Sequence, residues 1–193
     1  MILKKRGKEK IGLNYSYDIY IIMLLNPVLF ELPREEIKEY GLENLIYGSL
    51  TARGVRTMVQ TIQKLWKGEI YGLDLGCGDG ELVYHLGKEL GVWEGVEISE
   101  HRVSAQTRDV CIWQGDFLLE NFRPYTVLHA DNLCLEDDIA EALERKIALE
   151  FKGLYITYRQ PRCAFFLRRA HHLSSVLTET TWTQHKIHYW IIE

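Results

Sequence analysis

The chain has 193 residues, 47 % of them apolar and 26 % charged, with 27 Asp+Glu against 23 Lys+Arg for a formal net charge of −4. That composition suits a soluble globular protein and excludes disorder along the whole chain. At this length roughly 70 % of the unfolded surface can be buried, so a core needs no staple, and the slight acidity leaves any polyanion contact to a local patch. In chain order, Lys4, Lys5, Arg6, Lys8 and Lys10 make a basic start. The apolar run at 19–30, broken by Asn26-Pro27, is too short to span a bilayer, and its late start and missing small-residue cleavage site set it apart from a signal peptide. The weakly patterned section 11–45 ends in Leu32-Pro33-Arg34-Glu35-Glu36-Ile37, a helix start with Pro33 near the first turn. Val55, Met58, Val59, Ile62 and Leu65 recur at helical spacing and predict a helix over 51–66. Strands at 70–74, 93–97, 110–113, 126–130 and 154–158 then alternate with helices at 81–90, 100–107 and 137–149. The alternation predicts an α/β fold with a mainly parallel sheet covered on both faces. Segments 175–182 and 186–192 are β-rich and joined by Thr183-Gln184-His185, the pattern of a C-terminal antiparallel hairpin.

Cys77, Cys111, Cys134 and Cys163 are dispersed, with no CxxC pair and no histidine at ligand spacing, so a metal site is not expected and the usage fits a reducing, intracellular compartment. The strongest local signal is Leu73-Asp74-Leu75-Gly76-Cys77-Gly78-Asp79-Gly80 at the end of the first predicted strand. Alternating glycines let the backbone turn sharply and approach a ligand closely. Glu97 follows at the end of the next strand, where a carboxylate can take both hydroxyls of a ribose. A dinucleotide site wants GxGxxG, because its pyrophosphate sits on a helix N-terminus. Here the spacing is GxGxG, and Asp74 and Asp79 flank it. Two carboxylates disfavour a pyrophosphate and favour a donor carrying an ammonium and a sulfonium, namely S-adenosylmethionine. Gly115-Asp116-Phe117 follows the third strand, where an acid and an aromatic ring could meet an adenine.

Taken together, the layout resembles the class I S-adenosylmethionine-dependent methyltransferase fold, Rossmann-like, with residues 46–193 as the methyltransferase domain and 1–45 as a short N-terminal segment. More narrowly, it resembles the disruptor-of-telomeric-silencing family of histone lysine methyltransferases, over about residues 47–192. Tyr47-Gly48 resembles that family's Tyr-Gly-Glu loop, and Gly115-Asp116-Phe117-Leu118-Leu119-Glu120 its Gly-Asp-Phe-Leu-x-Glu stretch. Asp131-Asn132-Leu133-Cys134-Leu135 resembles its Asn-Asn-Phe-Ala-Phe segment, and Thr181-Trp182-Thr183 with Ile187-His188-Tyr189 resembles its closing elements. Three positions depart from the pattern: Ser49 stands for Glu, Asp131 for Asn, and Leu133 for an aromatic residue.

The resemblance implies a cofactor set of Tyr47, Thr51, Asp74, Gly76, Gly78, Glu81, Glu97, Asp116, Phe117 and Asp131. It implies a lysine channel lined by Asp131, Asn132, Leu133, Trp182 and Tyr189, with Asp131 drawing in the ammonium. A narrow apolar channel would favour the neutral amine and hold it in line with the methyl group. The implied partner is a histone in a nucleosome, in the nucleus. Lys4, Lys5, Arg6, Arg168 and Arg169 could then meet nucleosomal DNA or an acidic patch. Two alternatives stay open. One is a class I methyltransferase acting on RNA or a small molecule. The other is a catalytically weak donor-binding module that docks to chromatin, which Ser49 keeps alive. Base methylation is disfavoured, since Asp131-Asn132-Leu133-Cys134 offers no proline and no aromatic to stack a flipped base.

Overall fold

The computed structural model describes residues 27–193, so the basic start and most of the apolar run at 19–30 lie outside the described residues. Among the described residues seven strands form one sheet: β1 (Tyr71–Leu75), β2 (Val92–Glu97), β3 (Cys111–Gln114), β4 (Val127–Ala130), β5 (Gly153–Thr157), β6 (Ala170–Glu179) and β7 (Gln184–Ile192). Their order is β3-β2-β1-β4-β5-β7-β6. The first five are parallel, and β7 runs antiparallel to both β5 and β6. The order reverses between β1 and β4, and the loops leaving those strands open a crevice where α/β sheets bind ligands.

Among the described residues six α-helices accompany the sheet: α1 (Arg34–Tyr40), α2 (Ala52–Leu65), α3 (Glu81–Leu90), α4 (Glu100–Ser104), α5 (Asp137–Glu150) and α6 (Ala164–Leu167). The apolar stripe predicted for α2 is the face it buries. Met58 and Ile62 are fully inaccessible and pack with Leu86, Trp93, Ile156 and Tyr189 on one side of the sheet. Burying each of these side chains is worth about 1.5–3 kcal/mol. Thr51 caps this helix, its Oγ1 accepting from the Gly54 N–H at 3.1 Å. On the other side of the sheet, Leu143 and Ile147 of α5 pack with Leu73, Leu128, Tyr155 and Trp190. Because successive strand residues point to opposite faces, Leu73 and Leu75 serve that second core and Asp74 faces the first.

Two elements differ in their bounds from the pattern of the sequence: the helix expected over 100–107 ends at Ser104, where Ala105 closes it by donating to the Arg102 carbonyl, and the first hairpin strand is displaced. The first hairpin strand runs Ala170–Glu179, not 175–182; as an edge strand it needs only β7 as partner, so its polar residues 171–175 still pair, with a bulge between His172 and Ser174. It stops at Glu179 because Thr180 closes a turn, its N–H and hydroxyl both donating to the Thr183 carbonyl at 2.7 and 2.8 Å. Trp182 therefore sits in the turn. The short helix α6 has no signal in the periodicity.

Residues 27–45 pack onto α4. Glu36 accepts from the Ser99 hydroxyl at 2.5 Å and from the His101 N–H at 3.1 Å, a carboxylate at the helix N-terminus. Arg102 of α4 is 3 % exposed and donates to the carbonyls of Leu29 and Leu45.

Candidate active site

The glycine loop after β1 is built as its spacing requires. Gly76, Gly78 and Gly80 have φ of 80°, 59° and 79°, a left-handed conformation that side-chain-bearing residues rarely adopt. The Gly76 and Cys77 N–H groups both donate to the Val96 carbonyl, which seats the loop across the end of β2. A Cβ on Gly78 would lie 2.2 Å from the Tyr47 ring, so the glycine also permits the tyrosine to lie flat on the loop.

Carboxylates converge here. Glu97 is 3 % exposed; its Oε2 accepts from the Gly78 N–H at 2.9 Å, and its Oε1 accepts from the Ser99 N–H at 3.0 Å and lies 3.7 Å from Arg102. Burial raises its carboxyl above the usual range, against the pull of Arg102 and the two N–H groups. Asp79 accepts from the Glu81 N–H at 3.3 Å and from the Tyr47 hydroxyl at 3.5 Å, and burial raises it too. Asp74 is buried against His129, Oδ1 to Nδ1 2.6 Å. Asp131, at the exit of β4, is pushed up to about 6 by burial, with His129 pulling the other way.

Residues 47–50 form a strap over this ground. Tyr47 lies on the glycine loop, with the Arg102 guanidinium 5.1 Å from its ring centre. The Trp182 ring fills the space a Gly48 side chain would need, at 1.8 Å. Ser49 bonds to Thr181 twice: its carbonyl accepts from the Thr181 N–H at 2.8 Å, and its N–H donates to the Thr181 hydroxyl at 3.3 Å. Under the strap a small cavity of about 20 Å³ is lined by Tyr47, Asp74, Cys77, His129, Asp131 and Tyr158. It has room for about one water.

A larger cleft, about 690 Å³, adjoins the strap, with Tyr47, Asp79, Val55, Leu82, His85 and Arg108 among its walls.

Of the residues singled out in the sequence, Tyr47, Asp74, Gly76, Gly78, Glu97 and Asp131 come together around the glycine loop. The others do not. Thr51 is spent on capping α2 and donates to the Glu179 carboxylate at 2.7 Å. Glu81 turns to the larger cleft, where Arg108 binds it at 2.8 and 3.0 Å and holds its carboxyl low. Asp116 accepts from the Leu118 N–H at 2.8 Å, closing its own turn, and Phe117 packs on the core under α5. Asn132 is fully buried and ties β4 to β5, its Oδ1 accepting from the Thr157 hydroxyl at 2.7 Å and the Arg159 N–H at 2.9 Å. Leu133 packs against the core under α2, and Tyr189 is fully buried within it. Neither Trp182 nor Tyr189 lines the cavity that holds Asp131.

His129, Arg102 and Tyr158 are the residues the sequence reading missed. A histidine in the otherwise apolar strand Val127–Ala130, two positions before Asp131 and so on the same face, is the one signal that was there to find.

No protein-family profile matches the chain, and no curated protein matches its sequence. Solved structures do match in shape. Magnesium protoporphyrin IX methyltransferase from Synechocystis PCC 6803, with bound S-adenosylmethionine, superposes with a TM-score of 0.59 at 15 % identity, over 88 % of this chain and 98 % of that one. The fold is that of a class I methyltransferase. A TehB-like S-adenosylmethionine-dependent methyltransferase from Corynebacterium glutamicum gives a TM-score of 0.54 at 13 % identity, over 93 % and 100 % of the two chains. An RNA methyltransferase from Salinibacter ruber, in complex with S-adenosyl-L-homocysteine, gives 0.52 at 17 %, over 71 % and 91 %.

The residues present fit an adenosyl-sulfonium donor. Each Glu97 oxygen accepts one backbone N–H and retains a lone pair, enough to receive a pair of ribose hydroxyls. Three acids and a left-handed glycine loop surround the place of a cationic group, and the buried guanidinium of Arg102 is held by Glu97 and two carbonyls, away from phosphate duty.

Proposed function

We propose that this chain is an S-adenosylmethionine-dependent methyltransferase. The observation that carries it is the carboxylate set of Asp74, Asp79 and Glu97 around Gly76–Gly78 in a sheet of this topology. Glu97 would hold the ribose. Asp74 and Asp79 would favour a positively charged methionyl end, and Tyr47 would cover it. When bound, the donor supplies an electrophilic methyl group; the protein's part is to orient it and exclude water beneath residues 47–50.

The acceptor is a finer matter. The names of two of the similar structures speak of a porphyrin and of RNA. The lysine-channel reading rests on short motifs alone. It is weakened by Tyr189 lying in the core and Trp182 lying on Gly48. We therefore favour a non-histone acceptor, a small molecule or RNA. Of the basic contacts envisaged for a nucleosome, Arg168 stacks on Phe165 and Arg169 donates to the Glu193 carbonyl, while Lys4, Lys5 and Arg6 lie outside the described residues.

The test is labelled-methyl transfer from S-adenosylmethionine to free histones, nucleosomes, total RNA and a set of small hydroxyl and carboxyl acceptors. Label in RNA or a small acceptor, with histones blank, is the expected result. Label confined to histone lysine would restore the family resemblance and overturn this choice.

A further inference from the structure

A buried acid–imidazole pair lies at the floor of the site, and donor binding does not account for its imidazole. His129 on β4 stands opposite Asp74 on β1 in the parallel register. The two side chains, 2 % and 4 % exposed, meet at 2.6 Å between Nδ1 and Oδ1. A carboxylate can only accept, so Nδ1 carries the hydrogen, and in the neutral imidazole Nε2 then carries the lone pair. Among the described residues Nε2 is buried without a hydrogen-bond partner. His129 lines the small cavity beneath residues 47–50, beside Asp131 and Tyr158. An imidazole fixed by an acid on one nitrogen, unpartnered on the other and lining a water-sized cavity, has the elements of a general base.

We propose that His129 is the general base for methyl transfer to a hydroxyl, with Asp74 orienting it. This rests on the methyltransferase reading above. The acceptor oxygen forms a bond to the methyl carbon while the bond from methyl to sulfur breaks, its electron pair staying on sulfur as a neutral thioether. The hydroxyl proton passes to His129 Nε2, and the imidazolium shares its Nδ1–H with the Asp74 carboxylate. The proton leaves to solvent once the product departs.

The acceptor class follows from the chemistry of the base. A carboxylate carries no proton at neutral pH and needs no base. An alkylammonium, with a pKa of about 10.4, has no lone pair until it has lost its proton beforehand. A hydroxyl attacks with a lone pair it already has and sheds its proton as the bond forms, which is the step an adjacent imidazole assists.

The groups facing His129 come from every neighbouring element: Asp74 from β1, Asp131 from the exit of β4, Tyr158 from the end of β5 and Tyr47 from the strap, with His185 of the hairpin acting on Asp131. Burial raises both phenols well above their ordinary value, so they stay neutral.

The test begins without a substrate. Nitrogen NMR of the full chain labelled in histidine, with S-adenosylhomocysteine bound, reads the tautomer; hydrogen on Nδ1 of His129 is expected, and hydrogen on Nε2 overturns the assignment. Labelled S-adenosylmethionine is then offered with catechol, benzoate or butylamine. Label in catechol, reduced about 10²–10⁴-fold by His129→Gln together with loss of the rising acid limb of the pH–rate profile, supports the base. Label in benzoate or butylamine but not catechol, or an undiminished rate in His129→Gln, overturns it. If none of the three is labelled, the tautomer decides. Failure of wild-type protein to bind S-adenosylhomocysteine at all would sink the methyltransferase reading itself, a different result from binding with the wrong tautomer.

Discussion

Arg102→Met removes the group on which the edge of the site is assembled. The guanidinium is 3 % exposed and serves three partners: the Leu29 carbonyl at 3.2 Å, the Leu45 carbonyl, and Glu97 at 3.7 Å. Methionine fills much of the volume and makes none of these contacts. Two buried carbonyls lose a donor, at about 1–3 kcal/mol each, and Glu97 loses its cation, a step worth about 3–5 kcal/mol in buried pairs. These losses share one group and do not add, so the expected destabilisation is about 3–5 kcal/mol. The sign with pH is fixed by Glu97, whose carboxyl is already raised by burial in the folded state. The folded protein therefore holds that proton more tightly than the unfolded chain, so stability is present at low pH and lost as pH rises through the folded value. Removing Arg102 raises that value further. Urea denaturation should show a deficit that is largest near pH 7.5 and shrinks toward pH 5. Arg102→Met combined with Glu97→Gln should recover part of it at pH 7.5. A deficit under about 1 kcal/mol, or one that does not change with pH, would refute the reasoning.

Gly78→Ala places a Cβ 2.2 Å from the Tyr47 ring at a φ of 59°; the left-handed strain alone is about 1–2 kcal/mol, and donor affinity should fall by at least tenfold in a calorimetric titration. Asn132→Ala leaves the Thr157 hydroxyl and the Arg159 N–H without their acceptor, and should cost about 2–3 kcal/mol in urea denaturation while donor affinity holds within about threefold. That pairing marks a structural residue; a large loss of affinity at full stability would assign Asn132 to the site instead. Asp131 titrates at about 6 in the folded protein against 3.8 for an ordinary Asp, so its contribution to stability declines as pH rises from about 4 to about 6. Asp131→Asn should flatten the stability profile in that window, read from chemical denaturation at half-unit steps.

Much of the frame is legible in the residues because punctuation and periodicity agree. Helix α3 begins after Gly80 and ends at Gly91, and the stripe Val55, Met58, Val59, Ile62 names the buried face of α2 before any packing is known. The glycine loop and Glu97 are legible because a left-handed backbone admits little else and because the acid recurs at a strand end. What stays hidden depends on neighbours distant in sequence. Arg102 reads as an exposed residue of a short helix, and only the docking of residues 29 and 45 buries it. His129 reads as a lone core histidine until β1 sets Asp74 against it. Asp116 and Asn132 carry side chains that can serve a ligand or the fold equally well, and here the Leu118 N–H claims the first while Thr157 and Arg159 at the end of β5 claim the second. Trp182 and Tyr189 share one stretch of sequence, yet a turn separates them: the indole goes over Gly48 and the phenol into the core.

The most direct measurement is calorimetric titration of the full chain with S-adenosylmethionine, S-adenosylhomocysteine and NAD⁺. Saturable one-to-one binding of the first two, weakened about tenfold or more (1.4 kcal/mol) by Glu97→Ala, and no binding of NAD⁺, is the expected result. Binding of NAD⁺ alone, or affinity for the sulfonium donor that is indifferent to Glu97, would contradict it.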